Sequence, residues 1–124
     1  NVAGKDVIIM DDMISSGESV QEVAKELKKR KARRVFVCAT FGLFTNGFAK
    51  FDEYYDNGII DGIFTTNLVY QTPELLNKPY YYNVDMTKYT ALIIDNLNHD
   101  STISGLLTPT NRINNLLEKV KNNK

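Results

Sequence analysis

The 124-residue chain reads as an α/β domain of three layers: a mostly parallel sheet with helices on both faces. Three observations predict it. Apolar runs at residues 7–10 and 35–39 suit strands covered on both faces, and residues 59–65 hold a third strand. Segments of helical spacing separate them. Strand and helix therefore alternate, the pattern of a parallel sheet joined by crossover helices.

The elements follow in order. Gly4-Lys5-Asp6 is a turn, and Val7-Ile8-Ile9-Met10 is the first strand. Val20, Val23, Ala24 and Leu27 fall at i, i+3, i+4 and i+7, one face of a helix. Glu22, Lys25, Glu26, Lys29 and Arg30 take its other side, with Ser16 or Ser19 as cap. Val35-Phe36-Val37-Cys38-Ala39 is the second strand. Residues 46–55 form a short helix with Phe48, Phe51 and Tyr55 on one side. Residues 59–65 hold a third strand, residues 71–79 a loop bounded by prolines, and residues 80–84 a weaker strand. Residues 87–98 are helical, with Tyr89, Leu92 and Ile93 inward. Thr108 caps the last helix and Pro109 opens it; Ile113, Leu116, Leu117 and Val120 make its stripe, with Lys119, Lys121 and Lys124 toward its end.

Composition bounds the function. Hydrophobic residues make up 43% of the chain, enough for one packed core. Fifteen basic residues balance fifteen acidic ones, so no whole-domain field draws nucleic acid or an anionic membrane. No apolar run approaches the ~20 residues of a membrane span, and no secretory segment is evident. Cys38 is the sole cysteine, which excludes an intrachain disulfide and fits a reducing, cytoplasmic setting as a buried, inert thiol. His99 stands alone and reads as surface. Six of the seven residues from Lys28 to Arg34 are basic; with no aromatic residue interleaved, they read as a solvated helix end. Tyr80, Tyr81 and Tyr82 suit an edge strand or subunit contact, and Phe41, Phe44, Phe48 and Phe51 suit packing under a loop. The first residue is Asn1, so the chain is expected to be part of a longer protein.

The chemistry gathers at residues 11–19, Asp-Asp-Met-Ile-Ser-Ser-Gly-Glu-Ser. Two carboxylates follow a strand, then a turn of small hydroxyl residues enters a helix. A helix N-terminus offers free N–H groups and about half a positive charge. Gly17 permits close backbone approach or a positive φ. Ser15, Ser16 and Ser19 add hydroxyl donors. Asp11 and Asp12 would repel a phosphate at contact, so they suit sugar hydroxyls or a magnesium ion a few ångströms away.

That segment resembles the phosphoribosyl-pyrophosphate loop of type I phosphoribosyltransferase folds: two acids, two apolar residues, Asp-Thr, a small residue or Gly, Gly, then Thr. Ala39-Thr40-Phe41-Gly42-Leu43-Phe44-Thr45 is similar to the Ala-Thr-His-Gly-Leu-Phe-Ser of the ribose-phosphate pyrophosphokinase family. Phe64-Thr65-Thr66-Asn67 resembles that family's Val-Val-Thr-Asn, and residues 75–104 resemble its final segment in spacing. The resemblance implies the C-terminal phosphoribosyltransferase-like domain of an enzyme that moves pyrophosphate from ATP to ribose 5-phosphate. It implies magnesium as cofactor, a homo-oligomer, and ATP contacts mainly in an N-terminal domain that this chain lacks. Asp11 and Asp12 would then serve the ribose hydroxyls and the metal, and Ser15, Ser16, Gly17, Glu18 and Ser19 would surround the substrate and its 5-phosphate. The fragment alone is expected to be inactive, with no catalytic residue assigned.

Three departures stand out. Ser15 replaces the family's Asp, Glu18 a small residue, and Phe41 a His. They favour an alternative: a non-catalytic regulatory or assembly homologue. A phosphoribosyltransferase proper is a second alternative, disfavoured by the C-terminal half. A phosphoacceptor receiver domain is a third, since residues 8–12 resemble a receiver's first strand; it requires an acceptor Asp at a later strand end, where Asp61 does not fit.

Overall fold

A computed structural model describes residues 1–122, and the chain divides into two compact units, Asn1–Met86 and Thr87–Lys124. Lys124, expected at the end of the last helix, lies outside the described residues.

Unit 1 runs β1 (Asp6–Ile14), α1 (Glu18–Lys29), β2 (Arg34–Gly42), α2 (Ala49–Asp56), β3 (Gly62–Thr66), α3 (Pro73–Leu76) and β4 (Tyr81–Val84). The four strands form one sheet in the order β1-β2-β3-β4, every pair parallel. The α/β class expected from the alternation is the class found. Ile9, Val37, Ile63 and Tyr81 share one row across the sheet, and Met10, Cys38, Phe64 and Tyr82 the next.

Those two rows meet different surroundings. Val37, Ile63 and Tyr81 are buried with Val20 and Ala24 of α1, Phe51 and Tyr54 of α2, and Leu75 of α3. Each such aliphatic side chain contributes about 1.5–3 kcal/mol. On the other side Ile8 and Met10 remain 59% and 76% exposed, and Tyr82 is exposed too. The expected second layer of helices is thus not supplied by α1, α2 and α3. Topology gives the reason: right-handed crossovers that step one strand at a time in one direction all land on the same face. On the open face Phe64 stacks on Tyr82 with ring centroids 4.6 Å apart, and Phe36 meets Phe64 edge-on.

β1 and β2 are longer than the apolar runs suggest. Met13 and Ile14 continue β1 against Phe41 and Gly42, three residues past the last β2 partner of β3, Ala39. α1 is capped by Gly17 in the left-handed region rather than by a serine; Ser16 Oγ accepts only a 3.4 Å contact from the Glu18 amide, and Ser19 lies inside the first turn. α2 begins three residues later than expected, after Gly47 at φ +72°. Its buried residues are Phe51 and Tyr54, with Phe48 and Tyr55 partly buried beside them. Residues 71–79 are not simply a loop: α3 starts at Pro73, and Thr72 Oγ1 accepts from the Leu75 amide at 3.2 Å. The signal was Thr-Pro before an apolar anchor, an N-cap with proline at the first helical position.

The basic run at the end of α1 is tied by carboxylates. Asp6 accepts from Arg33 and Arg34, Lys28 Nζ reaches Asp61 at 3.0 Å, and Arg30 pairs with Glu26. Asp61 also accepts from the Val35 amide at 2.8 Å, pinning β2 to the segment before β3.

Unit 2 holds α4 (Thr87–Asn98), α5 (Ser104–Leu107) and α6 (Thr110–Asn122). Tyr89, Leu92 and Ile93 are half-buried, as the spacing of α4 requires, and the Tyr89 hydroxyl donates to the Leu106 carbonyl at 2.8 Å. α6 starts one residue past Pro109, and the Thr108 hydroxyl turns back to the Ser104 carbonyl instead of capping it. Ile113, Leu116, Leu117 and Val120 line an exposed stripe, not a core face. His99 is exposed, as expected of a lone histidine.

Candidate functional site

Asp11 and Asp12 do not sit at the strand tip. They lie within β1, two residues before its end, in an exposed run that includes Met13. Their neighbours explain this: Ile14 is apolar and fully buried, so the strand continues until it delivers that residue to the core. Asp11 Oδ1 accepts from the Asp12 amide at 2.8 Å, a local contact that leaves its second oxygen available. Both carboxylates face water near the carboxyl ends of the strands, where ligands of open parallel sheets bind.

The turn follows at once. Ser15 is exposed, Ser16 half-buried and Gly17 buried; Glu18 and Ser19 are exposed on the first turn of α1. Gly17 has φ +83° and ψ 0°, and a Cβ there would lie 2.2 Å from Phe51 Cζ. Both facts demand glycine. The first N–H groups of α1 lack intrahelical acceptors and leave the helix toward Ser15 and Ser16. The seven predicted residues follow one another from strand to helix: Asp11 and Asp12 on β1, Ser15, Ser16 and Gly17 in the turn, and Glu18 and Ser19 opening α1.

A second sequence segment braces that turn. The Leu43 and Phe44 amides both donate to the Ile14 carbonyl, at 2.8 and 3.3 Å, and the Thr45 amide donates to the Ser15 carbonyl at 3.0 Å. Phe44, Phe48 and Phe51 form an aromatic cluster behind the turn, with centroids 5.3–5.4 Å from Phe44. The reading of Phe44, Phe48 and Phe51 as packing under a loop pointed to this cluster, whereas the main-chain bonds had no sequence signal beyond the similarity of residues 39–45 to the family motif. Phe41 does not join the cluster; it is 37% exposed.

Beside Asp11, on the open face, lies a shallow groove of about 290 Å³. Met10, Cys38, Phe64 and Val84 form its apolar floor, with Thr40 and Thr66 at its rim. Cys38 is therefore partly buried rather than enclosed, and its burial pushes the thiol above its ordinary range. The Thr66 hydroxyl donates to the Thr40 carbonyl at 2.6 Å.

Among the described residues, no three His, Cys, Asp or Glu side chains converge as a metal cage. Two exposed carboxylates are a donor set for magnesium, which keeps several waters and takes one or two carboxylates plus substrate oxygens. Asp61 lies just before β3, near the amino ends of the strands and tied to Lys28, while Asp11 pairs with Ala39 toward the carboxyl ends. A receiver domain needs its acids together, so that alternative falls.

Fold and loop define a class: parallel α/β domains with an acidic strand and a glycine turn that opens a helix at the carboxyl edge of the sheet. Residues 1–108 match the family described as the phosphoribosyl synthetase-associated domain, and the chain belongs to that family. It is 32% identical over 108 residues to a ribose-phosphate pyrophosphokinase of Shewanella oneidensis, covering 87% of this chain and 33% of that protein. It is 34% identical over 109 residues to the ribose-phosphate pyrophosphokinase of Mycoplasma pneumoniae, covering 86% of this chain and 33% of that protein. The chain thus spans about a third of the length of these curated relatives. The fold is similar to a crystal structure of phosphoribosylpyrophosphate synthetase from Mycobacterium smegmatis, with TM-score 0.69 and 22% identity over 81% of this chain and 32% of that one.

Proposed function

We propose that this chain is the C-terminal, ribose 5-phosphate-binding part of an enzyme that transfers pyrophosphate from ATP to ribose 5-phosphate, forming phosphoribosyl pyrophosphate. The observation that carries the reading is the left-handed Gly17 turn opening α1 beside two exposed carboxylates on β1. Membership of the synthetase-associated family supports it. In this reading the amides and hydroxyls of residues 15–19 hold the 5-phosphate, and Asp11 and Asp12 accept from the ribose hydroxyls. Magnesium, when bound, would rest on Asp11 or Asp12 and shield the negative charge of the pyrophosphate. ATP would be held mainly by an N-terminal domain of the intact protein, which would be a cytoplasmic homo-oligomer. Among the described residues, the strand and turn at residues 11–19 carry no basic side chain of the kind a transferring pyrophosphate needs, so these 124 residues alone would bind without turning over.

A second reading is favoured by three residues: a regulatory or assembly homologue without catalysis. Ser15 removes a carboxylate that the family carries, Glu18 adds one beside the phosphate, and Phe41 replaces an imidazole. Calorimetric titration with ribose 5-phosphate, with and without magnesium, separates the two. Saturable binding that disappears in the Asp11→Asn/Asp12→Asn variant supports the substrate site. No heat at millimolar ligand favours the second reading.

A further inference from the structure

We infer that Phe44 is the positioning residue of the turn at residues 15–17, holding its entry through the main chain and its exit through the ring. The functional part of this inference rests on the sugar-phosphate reading above; the geometry stands without it.

Phe44 has φ +49°, a left-handed conformation that opposes any residue with a Cβ. Nothing about a core-filling phenylalanine requires that backbone. What the conformation achieves is visible in the hydrogen bonds. It turns three consecutive amides, those of Leu43, Phe44 and Thr45, onto the carbonyls of Ile14 and Ser15, where β1 ends and the turn begins. The Phe44 carbonyl then accepts from Gly47 at 2.9 Å, closing its own turn.

The ring acts at the other end. It is 5% exposed and meets Phe51 edge-on, with centroids 5.3 Å apart. Phe51 in turn lies flush against Gly17, the residue that caps α1. Gly42 leaves room for this arrangement: a Cβ there would stand 2.7 Å from Phe44 Cε2 and 2.9 Å from the Thr65 side chain. Thr65 is itself fixed by its 2.7 Å bond to the Tyr81 hydroxyl, so the ring is seated on β3 and β4. Phe44 therefore links the rigid sheet to both ends of the turn. Amide groups bind an anion well only when they converge before it arrives, so a loosened turn loses affinity without losing the fold.

The test compares four forms of the chain: wild type, Phe44→Leu, Phe51→Leu and Phe36→Leu. The last removes a ring on the opposite face of the sheet, away from the turn. Amide hydrogen exchange is read at Thr45 and Gln21, which donate to Ser15 and Gly17, and at the sheet residues Val37 and Ile63. Ribose 5-phosphate affinity is read by calorimetry with magnesium. Phe44→Leu should speed exchange at Thr45 and Gln21 at least tenfold more than at Val37 and Ile63, and weaken binding about tenfold. Phe51→Leu should act mainly at Gln21, and it carries the test if Phe44→Leu does not fold. Phe36→Leu should lower the melting temperature with no selective change at the turn. Unchanged protection in the Phe44 and Phe51 variants, or loss in proportion to the sheet, overturns the inference. Absence of binding by the wild-type chain would remove the sugar-phosphate reading alone, because exchange still decides what Phe44 holds.

Discussion

The ring of Phe51 lies so close to the backbone of Gly17 that a Cβ on Gly17 would come within 2.2 Å of Cζ. Phe51 belongs to α2 and Gly17 caps α1, so this contact fixes how the turn enters its helix. Gly17→Ala must therefore overcome both a left-handed backbone and a clash with a buried ring. The expected cost is about 2–4 kcal/mol, from roughly 1 for the backbone and 1–3 for overpacking. Gly58→Ala is the internal control: Gly58 has φ +64° but open space around its Cα, and should cost about 1 kcal/mol. Urea unfolding of both variants checks the difference. Equal losses would mean that Phe51 moves aside freely.

Replacing Asp11 and Asp12 together by Asn should remove ribose 5-phosphate binding and change stability by less than about 0.5 kcal/mol. Both residues are exposed, and Asp11 makes only a local bond to the next amide, which an Asn oxygen can repeat. Calorimetry and urea unfolding on the same sample test both halves. A double variant that unfolds would assign the pair a structural role instead.

Glu18 offers a case where stability and binding should move in opposite directions. Its exposed carboxylate sits in the first turn of α1, where the helix dipole favours negative charge by about 0.3–1 kcal/mol. The same charge opposes a phosphate at that helix end. It lines a surface cleft together with Glu22, Lys25 and Lys50. Glu18→Gln should lower stability by that small amount and tighten phosphate binding several-fold at low ionic strength. The gain should shrink toward 0.15 M salt, where the screening length is about 8 Å. Affinity that ignores both charge and salt would place the anion away from α1.

The candidate site stands out in the sequence, and its structural support does so much less. The acidic pair and the Ser-Ser-Gly turn declare themselves because hydroxyls, carboxylates and glycine have few other reasons to cluster between a strand and a helix. The alternation of elements was enough for the parallel sheet. The strand ends were not readable, because Asp11 and Asp12 look like a terminus while Ile14 pulls the strand two residues further into the core. The open face was hidden for a different reason. Ile8, Phe36 and Phe64 are apolar whether or not a helix covers them, and only the strand order reveals that the crossovers share one side. Phe44 is the hardest residue to foresee, since phenylalanine carries no preference for a left-handed backbone.

Two carboxylates held low by hydrogen-bonded partners should dominate the acid response of the fold. Asp6 is held well below the usual carboxylate range by its hydrogen bonds to Arg33 and then Arg34. Burial alone would raise Asp52, but hydrogen bonds from Lys78 and Tyr80, each at 2.8 Å, outweigh it and hold that group low as well. A carboxyl whose pKa falls on folding stabilises the native state above its unfolded value, near 4, and loses that contribution as pH drops toward the folded value. Stability should thus be level from about pH 6 to 5 and decline below about pH 4. Tyr80 gives the opposite limb. Burial first, and Asp52 second, push its hydroxyl far above the ordinary range near 10. Its contribution is complete below pH 10 and lost as the unfolded chain ionises above that. Asp6→Asn should shrink the acid limb to the Asp52 contribution and leave the alkaline one, whereas Tyr80→Phe should flatten the alkaline limb and, by removing one of the hydrogen bonds that hold Asp52 low, trim the acid limb while leaving the Asp6 contribution. Thermal unfolding of the three proteins from pH 2 to 11 reads both limbs, and an Asp6→Asn profile parallel to wild type below pH 4 would show that the Arg33 and Arg34 pairs do not couple to folding.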